Sequence, residues 1–225
     1  MLNMIKLENV KKIYDTGVVK TVALDEINLV IEEGELVAIT GKSGSGKSTL
    51  LNIIGMMDTV TQGDCYIDNI NVSKMSLGKR DKIRNEKISF IFQNFALIPD
   101  FTVFENIEIP LVPKKIGATQ RKKKINEVLA KLEIEDIKKK YPNQISGGQQ
   151  QRCAIARALV SGNKIILADE PTGALDTENS TSIINELINL NKEGYTIVIV
   201  THDMEIASKC NRIIELSDGH IIKDE

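Results

Sequence analysis

The run Gly41-Lys42-Ser43-Gly44-Ser45-Gly46-Lys47-Ser48 fits the phosphate-binding pattern G-x-x-x-x-G-K-[ST]. It lies between an apolar run, Leu36 to Thr40, and a helix-like stretch, Lys47 to Met56. Glycines let the backbone curl so that successive N–H groups point at phosphate oxygens, with the helix dipole behind them. The Lys47 ammonium would reach the β- and γ-phosphates, and the Ser48 hydroxyl would reach a Mg²⁺ ion. The sequence therefore predicts a nucleoside-triphosphate site.

Two carboxylates follow a second apolar run, Ile165 to Ala168. Asp169 and Glu170 would be costly at the edge of a buried strand unless they met a cation or a reacting water. We predict that Asp169 coordinates Mg²⁺, directly or through water, and that Glu170 is the general base that polarises the attacking water. The two residues alone leave open a simpler reading, in which they cap the following turn.

A third element, Ile145-Ser146-Gly147-Gly148-Gln149, precedes an apolar stretch that contains Ile155 and Leu159. The spacing from Ser146 to Gln149 is that of a capping box and predicts a helix N-terminus. Two glycines directly after the cap are unusual, because each weakens a helix by about 1 kcal/mol. They are explained if backbone N–H groups must approach a phosphate closely.

At this element the sequence resembles the nucleotide-binding subunits of ATP-binding-cassette (ABC) transporters, whose signature is L-S-G-G-Q; here Ile145 replaces the leucine. The resemblance covers essentially the whole chain. It implies an α/β fold: a P-loop NTPase (RecA-like) core with an N-terminal antiparallel β subdomain and an inserted α-helical subdomain. It also implies ATP and Mg²⁺ as cofactors, and ATP hydrolysis coupled to transmembrane transport.

The resemblance extends to single residues in the family's order. Tyr14 matches the aromatic residue that stacks on adenine, although it is also consistent with a surface or packing tyrosine. Gln93 matches the glutamine that senses the γ-phosphate and Mg²⁺. Asp176 ends Ala174-Leu175-Asp176, which resembles the loop that crosses between two subunits, and His202 resembles the histidine that orients the γ-phosphate and the attacking water.

These matches define the expected site. The expected catalytic residues are Glu170, His202, Gln93 and Lys47. The expected metal ligands are Ser48, Gln93 and Asp169. The residues expected to bind the nucleotide are Tyr14, Gly41, Lys42, Ser43, Gly44, Ser45, Gly46, Lys47, Ser48, Thr49, Ser146, Gly147, Gly148, Gln149 and Asp176.

The resemblance further implies that one chain cannot complete the reaction. Each ATP would lie between the phosphate loop of one subunit and Ser146 to Gln149 of its partner, so that a dimer closes around two nucleotides and hydrolysis reopens it. We expect a homodimer, with a paralogue as the alternative second ATPase subunit. We also expect an integral-membrane permease to contact the Gln93 to Pro110 region, with packing of its apolar residues inside the subdomain as the alternative.

The elements that must position these residues follow from hydrophobic periodicity. Alternation at Ile5 and Leu7, and again from Ile27 to Ile31, predicts half-buried strands near the N-terminus. Continuous apolar runs at Ile165 to Ala168 and Thr196 to Val200 predict parallel strands covered on both faces, joined by a helix with an apolar stripe from Ile183 to Leu190. Residues Arg212 to Lys223 predict a hairpin that turns at Asp218-Gly219.

The middle of the chain has a different pattern. From Asn94 to Gly162 there is no long strand signal, but amphipathic stretches carry lysine-rich faces at Arg121 to Lys124 and Lys138 to Lys140. We predict one ABC ATPase domain, 1–225, in which a helical signature subdomain, 94–162, is inserted into a nucleotide-binding core formed by 1–93 and 163–225. The lysine runs are interpreted as solvated helix faces, with contact to anionic lipid as the alternative.

Composition limits the remaining classes. The chain has 225 residues with 29 basic and 31 acidic side chains, a net charge of −2, so a nucleic-acid partner is not expected. No apolar run approaches the roughly 18 to 20 residues that cross a bilayer, and no secretory signal begins the sequence. We therefore expect a cytoplasmic protein, peripheral on the inner face of the cell membrane and not inserted into it. Three widely spaced cysteines suggest neither a disulfide framework nor a zinc site.

Several short segments indicate a subclass within this family. Gly173, the run Gln149-Gln150-Gln151-Arg152, Leu97-Ile98-Pro99 and Glu105-Asn106 resemble the macrolide-export, lipoprotein-release and antimicrobial-peptide-export group. This resemblance favours export or extraction of a hydrophobic or peptide substrate. One alternative is a signalling module of the cell-division type, which turns over ATP without transport. A soluble cassette ATPase acting on nucleic acid or ribosomes is disfavoured, because such proteins join two cassettes or carry a long coiled-coil insertion.

Overall fold

The computed structural model describes residues 3–225, which form an α/β fold with two sheets. The strands are β1 (Asn3–Asp15), β2 (Lys20–Glu32), β3 (Leu36–Thr40), β4 (Gln62–Ile67), β5 (Ile70–Asn71), β6 (Ile88–Phe92), β7 (Ile165–Asp169), β8 (Thr196–Val200), β9 (Arg212–Ser217) and β10 (His220–Asp224). The α-helices are α1 (Lys47–Ile54), α2 (Leu77–Lys87), α3 (Val103–Glu108), α4 (Ala118–Lys131), α5 (Gly147–Leu159), α6 (Thr177–Lys192) and α7 (Met204–Ala207). Short 3-10 helices cover Ile109–Lys114, Glu135–Ile137 and Pro142–Gln144.

The smaller sheet is antiparallel, with strand order β2-β1-β4-β5. Its inward residues pair across the two long strands, Ile5 with Ile31 and Leu7 with Leu29, and all four are buried. Because the side chains of a strand alternate between faces, this burial follows the period-2 pattern of the sequence. The predicted N-terminal antiparallel β subdomain is confirmed.

The larger sheet has strand order β10-β9-β3-β8-β7-β6, and every pair except β9 with β10 is parallel. The register aligns Ile39, Val200, Asp169 and Phe92 in one row across β3, β8, β7 and β6. The loops that follow these four strands therefore leave the sheet at the same edge. In open parallel sheets this edge is where ligands bind.

Two apolar layers cover the larger sheet. Leu167 and Val198 lie in a core shared with α1 and the antiparallel sheet. Their neighbours Ile166 and Ile197 lie in a second core shared with α5 and α6. Burial on both faces explains why β7 and β8 read as continuous apolar runs rather than as alternating ones. The parallel strands predicted from those runs are confirmed, and so is the RecA-like core that the family resemblance implies.

Between β6 and β7 the chain is built from helices and turns, as predicted. The first lysine run lies on α4, where Lys122 and Lys123 are exposed and Arg121 pairs with Glu108 at 2.7 Å. The second run is not helical, so that part of the prediction is wrong. Lys138 to Lys140 form a turn after a three-residue 3-10 helix, shortly before Pro142, whose ring disfavours helix in the preceding residue.

Sequence analysis did not identify β4, β5, α2 and β6, and it extended the phosphate-loop helix too far. Helix α2 buries none of its side chains, so it has no apolar stripe to detect. Helix α1 ends at Ile54 rather than Met56, because Gly55 caps it and Met56 adopts a φ of 56°. The rest of the helix is as predicted.

The C-terminal strands form the predicted hairpin. Strands β9 and β10 pair antiparallel, and the turn residues Asp218 and Gly219 both have positive φ, 49° and 82°, as a two-residue hairpin turn requires. His220 begins β10 and is exposed. In the described chain, 3–225, no helix combines the length and the apolar character that crossing a membrane would require.

Candidate functional site

The phosphate loop joins β3 to α1 and is shaped by its glycines. Gly41 and Gly46 have φ values of 139° and 104°, a region that side chains strongly disfavour. A Cβ on Gly41 would lie 2.2 Å from the Leu216 carbonyl oxygen, and one on Gly46 would lie 2.6 Å from the Ala23 carbonyl oxygen. Because Gly46 is also the N-cap of α1 and has no side chain to cap it, backbone N–H groups at this terminus are left for a ligand.

The ammonium of Lys47 lies at the centre of the loop. Its Nζ donates to the carbonyl oxygens of Gly41 and Lys42 at 2.7 and 2.9 Å. A lysine ammonium carries three protons, so two loop contacts leave it able to donate to a phosphate oxygen as well. The loop thus presents one fixed positive charge beside a helix N-terminus.

One cleft of about 400 Å³ brings the predicted chemistry together. Its walls include loop residues Ser43, Gly44, Gly46, Lys47, Ser48 and Thr49, together with Asp169, Glu170 and His202. These last three residues come from the carboxyl ends of β7 and β8, which the sheet register places beside β3. The phosphate loop, the carboxylate pair and the histidine therefore share one cavity.

The surroundings of Asp169 in the folded protein disfavour its charged carboxylate form. Burial, followed by repulsion from Glu170, raises its pKa above the ordinary value, while Lys47 acts in the opposite direction. A partly buried carboxylate of this kind favours a nearby cation. Among residues 3–225 no cluster of three or more acidic, histidine or cysteine side chains could hold a metal by itself. A Mg²⁺ ion held by Asp169 and the Ser48 hydroxyl would need phosphate oxygens and water to complete its shell, which fits a hard cation bound together with a nucleotide.

Replacement of Asp169 by asparagine is expected to raise the melting temperature at pH 7, when nucleotide and Mg²⁺ are left out. A carboxyl whose pKa is raised on folding destabilises the fold above that folded value and stops doing so below its unfolded value, 3.8. The gain should therefore shrink as the pH falls towards 4. Each kcal/mol of relief raises the melting temperature of a chain this size by about 2–4 °C.

Differential scanning calorimetry at both pH values measures this gain. Asp136→Asn, at an exposed aspartate, is the matched control and should change little. An Asp169→Asn protein that melts below the parent at pH 7 would show that the carboxylate stabilises the fold.

Glu170 and His202 are in direct contact. Nδ1 of His202 lies 2.7 Å from Oε1 of Glu170, with the histidine side chain 73% exposed and the glutamate 17% exposed. The backbone of Glu170 has a φ of 47°, unusual outside glycine, and its N–H donates to the Val200 carbonyl oxygen at 2.9 Å. Strained backbone of this kind is found where a side chain must be aimed. The carboxylate is thus directed into the cleft and held by the histidine.

Tyr14 and Gln93 lie outside the walls of this cleft. Tyr14 is 40% exposed near the end of β1, where it pairs with Thr21 of β2. Thr21 itself lines the cleft, so the hairpin brings the tyrosine to its rim. Gln93 follows β6 and packs on Gly173, where an added Cβ would lie 2.6 Å from Nε2 of the glutamine.

The signature residues are not brought to the phosphate loop within one chain. Ser146 caps α5, and the predicted capping box with Gln149 is present. The two glycines face the Asp176 loop of the same chain. A Cβ on Gly148 would lie 2.3 Å from Oδ1 of Asn179, and Nδ2 of Asn179 donates to Asp176, the N-cap of α6. Internal packing is thus a second reason for glycine here, beside the close approach of a phosphate.

Sequence reasoning missed several residues that shape the site. Thr21, Val22 and Ala23 line the cleft although no motif marks them. Arg157 of α5 donates to the Phe95 carbonyl oxygen at 2.8 Å and so anchors the loop after Gln93. For Thr21 to Ala23 the sequence offered one signal. Two successive strands near the N-terminus predict a hairpin, and a hairpin places residues of the second strand beside Tyr14.

Fold and site together define a phosphate-loop NTPase with an added signature helix, and comparison with known proteins agrees. The ABC transporter family model matches residues 24–173. The ABC transporter ATP-binding protein MJ0796 of Methanocaldococcus jannaschii is 51% identical over 227 residues, with 99% of this chain and 97% of that protein covered. The macrolide export ATP-binding/permease protein MacB of Escherichia coli is 46% identical over 224 residues, and the chain spans 35% of its length.

The solved structures agree as well. A dimeric, post-hydrolysis structure of MJ0796 bound to ADP and Pi matches with a TM-score of 0.91 at 48% identity, covering 99% of this chain and 98% of that one. The chain belongs to the ABC transporter family and is one of its ATP-binding cassettes. It is an ATPase whose cofactors are ATP and Mg²⁺.

Proposed function

We propose that this cassette works as a pair that powers a membrane subunit in the export or extraction of a hydrophobic or peptide substrate. The observation that carries the proposal is the division of the site. The phosphate loop, Asp169, Glu170 and His202 share one cleft, while the signature, Ser146 to Gln149, lies outside its walls. One chain therefore presents two half-sites.

The roles of the cleft residues follow from their chemistry. Lys47 and the loop N–H groups bind the phosphates, and Ser48 with Asp169 holds the metal. Mg²⁺, when bound, offsets the negative charge of the phosphates. Glu170 accepts a proton from the attacking water, and the His202 contact at 2.7 Å keeps its carboxylate in place. Gln93, directly after β6, would couple the presence of the γ-phosphate to the position of the helices that follow it.

The second half-site would be used by a partner subunit, and a second copy of this chain supplies all that is required. The capping box uses the Gln149 N–H and leaves those of Gly147 and Gly148, the first two residues of α5, for the γ-phosphate bound by the other subunit. Asp176 is the N-cap of α6 and lies beside this signature, so the loop before it would lie in the same interface. The dimeric structures of MJ0796 support this arrangement.

Ser146→Arg is expected to abolish ATP-dependent dimerisation while the monomer still binds ATP. A long cation at the helix N-terminus would fill the space that the partner's nucleotide needs. Multi-angle light scattering with and without ATP measures the dimer.

Ser146→Ala is the matched control, because it loses the cap, at about 1 kcal/mol, without adding bulk. Dimers of the arginine variant at normal ATP concentration would contradict the composite site.

A second cavity, about 320 Å³, suits a membrane partner. It lies between the α2–β6 region and the helical segment, and its walls include Met57, Phe90, Phe92, Ile109 and Pro110. Met57 is 48% exposed and lies on the wall of this cavity, so part of an apolar side chain is available there to a partner. We propose that the Gln93 to Pro110 region and this groove receive a cytoplasmic segment of the permease. Residues 94–162 would then move as the helical subdomain that links the groove to the signature.

The experiment that tests the transport proposal begins with membranes from cells that express tagged Glu170→Gln protein. They are solubilised with ATP, and mass spectrometry identifies what co-purifies. A polytopic membrane protein with a large extracytoplasmic domain is the expected partner. Substrate flux in vesicles that contain both proteins then separates transport from signalling, which turns over ATP without flux. Soluble or ribosomal partners alone would overturn the proposal.

A further inference from the structure

Three side chains beside the rim of the cleft form a closed polar network. Oη of Tyr14 donates to Oδ2 of Asp58 at 2.8 Å. Nζ of Lys12 donates to Oδ1 of the same carboxylate at 2.6 Å and to the Thr59 carbonyl oxygen at 2.8 Å. The lysine side chain is only 9% exposed and the aspartate 27%. One carboxylate oxygen of Asp58 thus accepts from the buried Lys12 ammonium, and the other accepts from the Tyr14 hydroxyl.

The network leaves the Tyr14 ring open on one side. Lys12 precedes Tyr14 by two positions on β1, so both side chains point to the same face of the sheet. Nζ of Lys12 lies 4.8 Å from the centre of the ring, a cation–π distance. One face of the ring is therefore occupied, and the 40% exposure of Tyr14 leaves the other available to a planar group.

The same network ties the ring to the phosphate loop. Asp58 lies in the turn that follows α1, and its backbone N–H donates to the Asn52 carbonyl oxygen within that helix. The other end of α1 carries Lys47 and Ser48. A ring held by Asp58 is thus held at a set distance from the groups that bind phosphate.

Tyr14 stays a hydrogen-bond donor and Asp58 an acceptor at neutral pH. Burial, with the Asp58 hydrogen bond as the next cause, raises the pKa of Tyr14, so the phenol remains a donor. Burial alone would raise the pKa of Asp58, but hydrogen bonds from Lys12 and from the Thr59 amide leave it below its ordinary value. The carboxylate therefore remains an acceptor for both partners.

We propose that Asp58 and Lys12 are positioning residues for the adenine base, which fix Tyr14 as a one-sided stacking platform at a set distance from the phosphate loop. The inference rests on the adenine-stacking role that the family resemblance predicts for Tyr14. Neither residue touches the nucleotide. Both act through the orientation of the ring, so their effect should appear only when the ligand carries a base.

Tyr14→Phe tests the inference, because it removes one hydroxyl and leaves the Lys12–Asp58 pair intact. Calorimetry with ATP and with inorganic tripolyphosphate, each with Mg²⁺, compares a ligand with a base to one without. We expect ATP binding to weaken about twofold to tenfold, the value of one hydrogen bond, with tripolyphosphate binding unchanged. Asp58→Asn should have a similar effect, and the double variant should be no worse than either single one.

Tyr66→Phe is the matched control, since Tyr66 lies in the same sheet with Lys6 5.6 Å from its ring. Equal loss of ATP and tripolyphosphate binding would indicate general damage to the fold and would overturn the inference. Tyr14→Ala distinguishes stacking on the ring from positioning of the ring by Asp58. If alanine weakens ATP binding and phenylalanine does not, stacking stands and positioning by Asp58 is wrong. If alanine has no effect, the adenine platform itself is wrong.

Discussion

Glu170→Gln is expected to lower ATP turnover at least tenfold while ATP binding is retained and an ATP-dependent dimer accumulates. The substitution keeps the size of the side chain but removes the charge that accepts a proton from water, and general bases contribute about 10²–10⁴-fold. Binding depends on other groups, chiefly the loop N–H groups and Lys47. Because hydrolysis reopens the proposed dimer, a slow enzyme should remain closed.

Steady-state phosphate release and light scattering with ATP measure these effects. Glutamine at position 170 bears the same backbone strain as glutamate, a φ of 47°, so folding should not change. Glu127→Gln, on the exposed side of α4, is the control for a lost carboxylate elsewhere. Undiminished turnover would remove Glu170 from the role of base.

Lys47→Ala is expected to weaken ATP binding about 10- to 100-fold. Hydrogen bonds from a charged donor contribute about 1.5–3 kcal/mol, and each 1.4 kcal/mol is a factor of ten in affinity. The variant also loses the two contacts by which Nζ holds the Gly41 and Lys42 carbonyl oxygens, so the loop itself should be less ordered.

Isothermal titration calorimetry with ATP and Mg²⁺ measures the change in affinity for the Lys47 variant. The exposed Lys122 of α4 provides the control, since Lys122→Ala removes the same charge far from the loop motif. Unchanged affinity in Lys47→Ala would mean that the ammonium does not contact phosphate in this protein.

The amino-acid sequence predicted best the features that depend on residues close together in the chain. The phosphate loop, the Asp169-Glu170 pair and the Ser146 capping box were all predicted at their positions, because each depends on residues within a few positions of one another. Glycine geometry, helix caps and the end of an apolar strand are local properties. The central strands β3, β7 and β8 of the larger sheet were also predictable, since strands buried on both faces are continuous apolar runs.

Several elements were missed or wrongly assigned. Helix α2 has no apolar face, and edge strand β6 was not recognised between it and the helical region. The Lys138 to Lys140 run was interpreted as part of a helix face, whereas Pro142 and a short 3-10 helix make it a turn. Charge patterns alone do not distinguish an exposed helix from an exposed turn.

The sequence by itself determined which groups can bind and activate a nucleotide; the tertiary structure decided which of them meet. His202 contacts Glu170 across 32 positions, and Lys12 reaches Asp58 across 46. Sheet register brings the first pair together, and the packing of β1 against the turn after α1 brings the second. Such contacts depend on strand order and on close packing between distant segments, which no periodicity in the chain records. The same packing keeps the signature apart from its own phosphate loop, and for that reason we propose that the cassette acts as a pair.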